Sequence, residues 1–186
     1  MEISASKMKR SIEKIYSMLD EVSPLDFDCG QLCNDACCVN NENNGYELAL
    51  YLMPGEELMY ENNEDFNLYY IPSDELEFPH AWNDDIYLVE CVNPPHCNRS
   101  IRPIQCRTFP LIPHLSRDDT FHLILDKSEF PYSCPIVDEN MKLDDDFIKV
   151  TYKVWKILID DPIVYDLIKY DSSLRDDRKS NYKIVI

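Results

Sequence analysis

The sequence predicts an α+β fold: a small single domain with N- and C-terminal helices around an irregular, cysteine-rich centre with short strands. Three observations predict it. Helical periodicity of apolar residues is confined to the two ends, around residues 5–20 and 144–170. Short strand-like runs lie only between those ends. The same middle region holds all eight cysteines, and Pro94, Pro95, Pro103, Pro110 and Pro113 keep regular structure short there. At 186 residues the chain is long enough for one proper core. No internal repeat or low-complexity linker divides it, so residues 1–186 read as one domain.

Taken in order, residues 5–20 form an amphipathic helix, with Met8, Ile12, Ile15, Tyr16 and Leu19 at the helical period. Ser23-Pro24 ends it. A cysteine run follows, then the polar turn Asn40-Asn41-Glu42-Asn43-Asn44-Gly45. Residues 46–53 read as a short strand or a buried segment. Pro54-Gly55 turns the chain, and Glu56-Glu57 opens a short helix reaching Tyr60. Strands are predicted around Leu68–Ile71, Ile86–Val89 and Phe121–Asp126, the last after a turn at Ser116–Asp119. The proline-rich stretch 91–113 reads as an irregular loop ordered by its cysteines. Asp144-Asp145-Asp146 opens the clearest helix, since acid in the first turn suits the helix dipole. Phe147, Val150, Thr151, Val154, Leu158 and Ile159 form its stripe. Asp161-Pro162 stops that helix and starts another, Asp as N-cap and Pro at the first helical position. The tail 171–186 is charged and expected to fray.

The bulk properties exclude several classes. Lys plus Arg is 18 against 35 Asp plus Glu, a net charge of −17. Such a surface repels nucleic-acid backbones and anionic lipid, so neither nucleic acid nor membrane is expected as a partner. Only three glycines are present, which disfavours Rossmann and P-loop phosphate cradles. No apolar run reaches the ~18 residues of a membrane span, and the N-terminus lacks a signal-type apolar run. A cytoplasmic location is expected. In that reducing compartment cysteines are thiols or metal ligands rather than structural disulfides.

The cysteines are Cys29, Cys33, Cys37, Cys38, Cys91, Cys97, Cys106 and Cys134. Thiolates are the soft ligands chosen by zinc, copper(I) and iron–sulfur centres, so all eight are candidate metal ligands. Spacing constrains how the first four are used. On one continuous helix Cys29 and Cys37 would be about 12 Å apart along the axis, whereas two zinc-bound sulfurs lie about 4 Å apart. Either the run is a loop entering a helix near Cys33, or its thiolates serve more than one metal atom. Cys37-Cys38 points the same way, because neighbouring side chains diverge on helix and strand alike. The spacing matches neither a zinc finger nor a bacterial ferredoxin. Arg102 and Arg107 flank Cys106 and can supply N–H donors and positive charge around the thiolates; the alternative is that they pair with surface carboxylates.

Cys29, Cys33, Cys37-Cys38, Met53-Pro54-Gly55-Glu56-Glu57, Cys91, Cys97, Arg102-Pro103, Cys106-Arg107-Thr108-Phe109-Pro110 and Cys134-Pro135 occur in that order. Together they resemble the YkgJ-like cysteine-cluster family of zinc- or iron-chelating proteins, over residues 28–136. The first cysteine spacing departs from that family's and resembles the cysteine region of flagellin lysine N-methylases. The resemblance implies chelation of zinc or iron, including an iron–sulfur centre, and supplies no reaction. A small metal- or cluster-dependent protein-modifying enzyme is the alternative reading. No catalytic residue stands out: there is no Ser/His/Asp motif. His96 adjoins Cys97 and is a candidate ligand, while His114 and His122 read as structural and His80 carries no signal. Phe66, Tyr69, Tyr70, Phe78 and Trp82 read as core or as a lid.

Overall fold

The computed structural model describes residues 2–38, 49–75, 78–79, 81–82, 85–126 and 132–186, with side chains from Met8 onward. Helix α1 runs Glu2–Asp20 and buries Ile12, Ile15, Tyr16 and Leu19, the face its periodicity predicts. Helix α2 is a single turn, Gly30–Cys33. Strands β1 (Leu50–Tyr51), β2 (Phe66–Ile71) and β3 (Ile86–Cys91) follow, with a 3-10 turn Glu56–Met59 between β1 and β2. Next come helix α3 (Ile104–Thr108), strands β4 (Ile112–Leu115) and β5 (Phe121–Asp126), and helix α4 (Pro135–Asp138). Helices α5 (Asp145–Leu158) and α6 (Pro162–Asp177) and strand β6 (Tyr182–Ile184) complete the chain. The polar turn expected at 40–45, the start of the segment expected at 46–53, and His80 lie outside the described residues.

The fold is α+β, with two small antiparallel sheets ordered β1-β3-β2 and β4-β5-β6. The main core joins α1, α5 and the second sheet. Phe147, Val154 and Leu158 of α5 meet Ile15 and Leu19 of α1 and Leu123 of β5 in one buried cluster. Helix α6 packs on β4, where Ser172 Oγ accepts from Leu115 N at 2.9 Å. A smaller cluster of Leu52, Tyr60, Phe66 and Val89 lies under the first sheet, with Cys91 and Cys97 packed against it.

The ends of α5 and α6 form as their sequences dictate. Asp144 caps α5 by accepting from Asp146 N at 2.8 Å and Phe147 N at 3.0 Å, and Asp161 accepts from Ile163 N ahead of α6.

Two expectations need correction. The stretch 91–113 is not wholly irregular: it contains α3 and β4. Pro103 ends in extended backbone just before α3, and Pro113 sits in an edge strand, where a missing N–H is tolerated. The tail from 171 does not fray. Residues to Asp177 extend α6, and Tyr182–Ile184 pairs with β5 in the register Asp126↔Tyr182, Leu125↔Lys183, Ile124↔Ile184.

No helix among the described residues is long and apolar enough to cross a membrane.

Candidate metal centre

The first cysteine run is a broken helix. Cys29 occupies the N-cap of α2, and Asp28 Oδ1 accepts from Gly30 N at 3.1 Å. The turn ends because Asn34 (φ 53°) and Asp35 (φ 56°) both enter the left-handed region. Asp35 N then returns to Gly30 O at 3.0 Å, and Cys38 N to Asp35 O at 2.7 Å. Gly30 leaves room for the Asp35 side chain: a Cβ there would sit 1.9 Å from Asp35 Oδ1. Cys37 and Cys38 consequently lie beyond the helix, in a turn.

That turn changes what the adjacent pair can do. The expectation that Cys37 and Cys38 diverge does not hold, because the backbone is neither helix nor strand. Their Sγ atoms are 3.8 Å apart, close to the spacing of about 4 Å for two sulfurs on one zinc ion.

The remaining thiols come from different elements. Cys91 is the last residue of β3, opposite Phe66. Cys97 follows a tight turn, its N–H donating to Pro95 O at 3.0 Å. Cys106 is carried by α3, and Cys134 occupies the N-cap of α4. Cys134 is buried and the other seven are half-buried, all eight being free thiols.

Hydrogen bonds and charge divide these sulfurs into two neighbourhoods. In the first, Arg102 Nε donates to Cys97 Sγ at 3.1 Å. The hydrogen bond from Cys91, and then that from Arg102, lowers the Cys97 thiol to about 6. Cys91 keeps its proton and is pushed well above the ordinary thiol range by the same bond. Cys37 and Cys38 behave alike: their mutual hydrogen bond lowers Cys38, with help from Arg102, and raises Cys37. Cys106 is pushed up to about 12 by burial and by the charges of Cys38 and Cys97. In the second neighbourhood, burial raises Cys29 and Cys134, with Cys33 adding to both. The two are not isolated, since Cys29 also acts on Cys37.

Donor chemistry and closure are separate tests of a metal site. The donors are soft thiols gathered from sequence-distant segments, with a guanidinium N–H on one sulfur, and this set suits a thiophilic cation. Among the described residues, however, no group of three or more His, Cys, Asp or Glu side chains is closed around a point where one metal ion could sit. Loading would require the sulfurs to draw inward.

The two arginines part company. Arg107 is buried and donates to Tyr16 O at 3.0 Å, Ser100 O at 3.1 Å and Asp20 Oδ1, with its guanidinium 5.0 Å from the Tyr16 ring. It ties α3 to α1, while Arg102 addresses the thiols. His96 is exposed. His114 is fully buried in the second sheet, its Nε2 3.1 Å from the Tyr182 hydroxyl.

One important residue is not evident from sequence. Glu56 opens the 3-10 turn, as its place after Pro54-Gly55 predicts. It is also fully buried and accepts from Ile104 N at 2.7 Å, holding the start of the helix that bears Cys106. Gly55 at φ 87° makes the turn possible. A carboxylate just after Pro-Gly reads as a helix start, and nothing local to it announces a partner 48 residues away. Comparison of the chain with protein-family models, curated proteins and solved structures finds no match.

Proposed function

We propose that this protein chelates zinc or iron, the latter as an ion or an iron–sulfur centre, through its clustered cysteines, in the manner of the YkgJ-like family its motifs resemble. One observation carries the reading: thiols from three sequence-distant segments gather around Arg102. Cys97 lies 3.1 Å from the Arg102 Nε. Cys37 and Cys38 present sulfurs 3.8 Å apart, and the charge of Cys38 reaches Cys97 and Cys106. Thiols that raise one another's cost of ionisation are a poor way to fill a core, but they are what a cation needs: it replaces the shared protons and neutralises the charge. A reducing, cytoplasmic setting follows from this use of free thiols. The net charge of −17 argues against nucleic acid and anionic membrane as partners.

The test is purification of the full chain without oxygen, followed by metal analysis and an absorption spectrum. Bound iron with broad visible absorption identifies a cluster; a colourless zinc-containing protein identifies a zinc site. Cys38→Ser and Cys97→Ser should each lose the metal. A reduced, folded protein that carries neither metal and takes up neither when supplied would overturn the proposal.

A further inference from the structure

Behind the thiols lies a buried chain of oxygens that their chemistry does not use. Glu56 Oε1 is 2.8 Å from the Tyr16 hydroxyl, which is 2.8 Å from the Tyr60 hydroxyl, which is 2.9 Å from Ile101 O. Glu56 Oε1 also accepts from Ile104 N at 2.7 Å, and Oε2 from Met53 N at 2.9 Å. All three side chains are buried.

The protons do not balance if Glu56 is ionised. The chain has three oxygen–oxygen contacts of hydrogen-bond length, and each requires one proton. It ends on a carbonyl, which can only accept. Tyr16 and Tyr60 supply one proton each, leaving one contact with none. We propose that Glu56 supplies the third as a neutral carboxylic acid: it donates to Tyr16, Tyr16 donates to Tyr60, and Tyr60 donates to Ile101 O. A protonated carboxyl oxygen still accepts, so the bond from Ile104 N is kept.

The consequence is positional. The network grips Ile101 through its carbonyl and Ile104 through its N–H. Between those two points lie Arg102 and Pro103. Glu56 is thus a positioning residue for the Arg102 guanidinium and for the helix that carries Cys106. Its neutral form also spares Cys106 a further negative charge, since an ionised Glu56 would raise that thiol.

The surroundings favour the acid form on balance. Burial raises Glu56, and the nearby charge of Glu57 adds to this, while the N–H donors of Ile104 and Met53 and the Tyr16 hydroxyl act against it. The other titratable groups facing the network are Tyr16 from α1, Tyr60 just after the 3-10 turn, and Cys106 and Arg107 from α3. The proposal stands whether or not the thiols bind metal.

The experiment is carbon-13 NMR of the Glu side-chain carboxyls in the full-length, reduced protein across a pH titration. Glu56→Gln identifies the Glu56 signal by its loss. The wild-type signal should hold the acid shift at neutral pH, well above the ordinary glutamate value of about 4.3. Tyr60→Phe removes two of the three contacts and one proton, so the remaining Tyr16 proton can serve an ionised Glu56, and its titration should move to lower pH. A carboxylate shift at neutral pH in the wild type overturns the proposal, even if Tyr60→Phe does not fold. A titration unmoved in a folded Tyr60→Phe overturns it equally, because burial alone would then account for the proton.

Discussion

Cys91 and, after it, Arg102 make Cys97 an easily ionised thiol of the cluster. The Arg102 Nε–H points at Cys97 from 3.1 Å, and Cys91 gives that sulfur a second donor. Cys97 should therefore alkylate with iodoacetamide at a rate that rises with pH through about 6 and is flat above it. In Arg102→Gln the inflection should move up. A wild-type rate still climbing at the ordinary thiol pKa would contradict this assignment. The Cys91–Cys97 pair also makes stability depend on pH. Below about 6 the folded and unfolded chains hold the same protons, and the pair contributes nothing. From about 6 to the ordinary value of 9.0 the folded chain has released a proton that the unfolded chain keeps, so stability rises with pH. Above 9.0 the unfolded chain loses both while Cys91, raised, keeps its own, and the gain is given back. The difference in Tm between metal-free wild type and Cys97→Ser should peak near that upper value; a difference independent of pH would refute the shared proton. Arg107 belongs to stability instead. Arg107→Lys keeps the charge but loses the fork that spans Asp20, Tyr16 O and Ser100 O, and should cost about 2 kcal/mol in urea unfolding.

Elements show where sequence reasoning succeeds and where it stops. Helix α5 was legible because its signals are local: an Asp cap, acid in the first turn, and an apolar stripe. Asp144→Ala should lower stability by about 1 kcal/mol, and a variant as stable as wild type would mean the cap is not used. The elements α3 and β4 were hidden by prolines that lie at an N-cap and on a sheet edge, where they do no harm. Strand β6 was hidden by a polar, charged run. Its place depends on long-range partners, with the Tyr182 hydroxyl 3.1 Å from both His114 Nε2 and Asp176 Oδ1. The site divides the same way. The sequence named eight cysteines and flagged Arg102 and Arg107 together. It did not foresee that Asn34 and Asp35 would take left-handed backbone and bring Cys37 and Cys38 side by side, because non-glycine residues seldom take that backbone. Nor did it separate Arg107 from Arg102, since only the docking of α3 on α1 decides which arginine faces which neighbour.

At the scale of the molecule, the apolar core and the thiols are largely different structures. The main core takes most of its residues from α1, α5, α6 and the second sheet, and of the eight cysteines only Cys134 is buried in it, with Cys29 packed against it. The other seven sit on short or irregular segments: α2 and the turn after it, the end of β3, the loop through Cys97, and α3. Apart from Ile104 of α3, which enters the main core, residues 31–38 and 92–102 are half-buried or exposed, so ordering them depends on hydrogen bonds and on whatever the sulfurs bind. Under the proposed chelation, binding energy for a metal would become local folding energy in those segments. The net charge of −17 sharpens the contrast, because added thiolate charge is repelled unless a cation or Arg102 offsets it. Stripping the metal-loaded protein with a chelator should therefore raise amide hydrogen exchange in residues 30–38 and 92–106 while α1, α5 and β5 keep their protection. Exchange mapped before and after chelation checks this directly. Loss of protection throughout would make the metal the organiser of the whole fold, and no change in either segment would mean that these thiols order nothing.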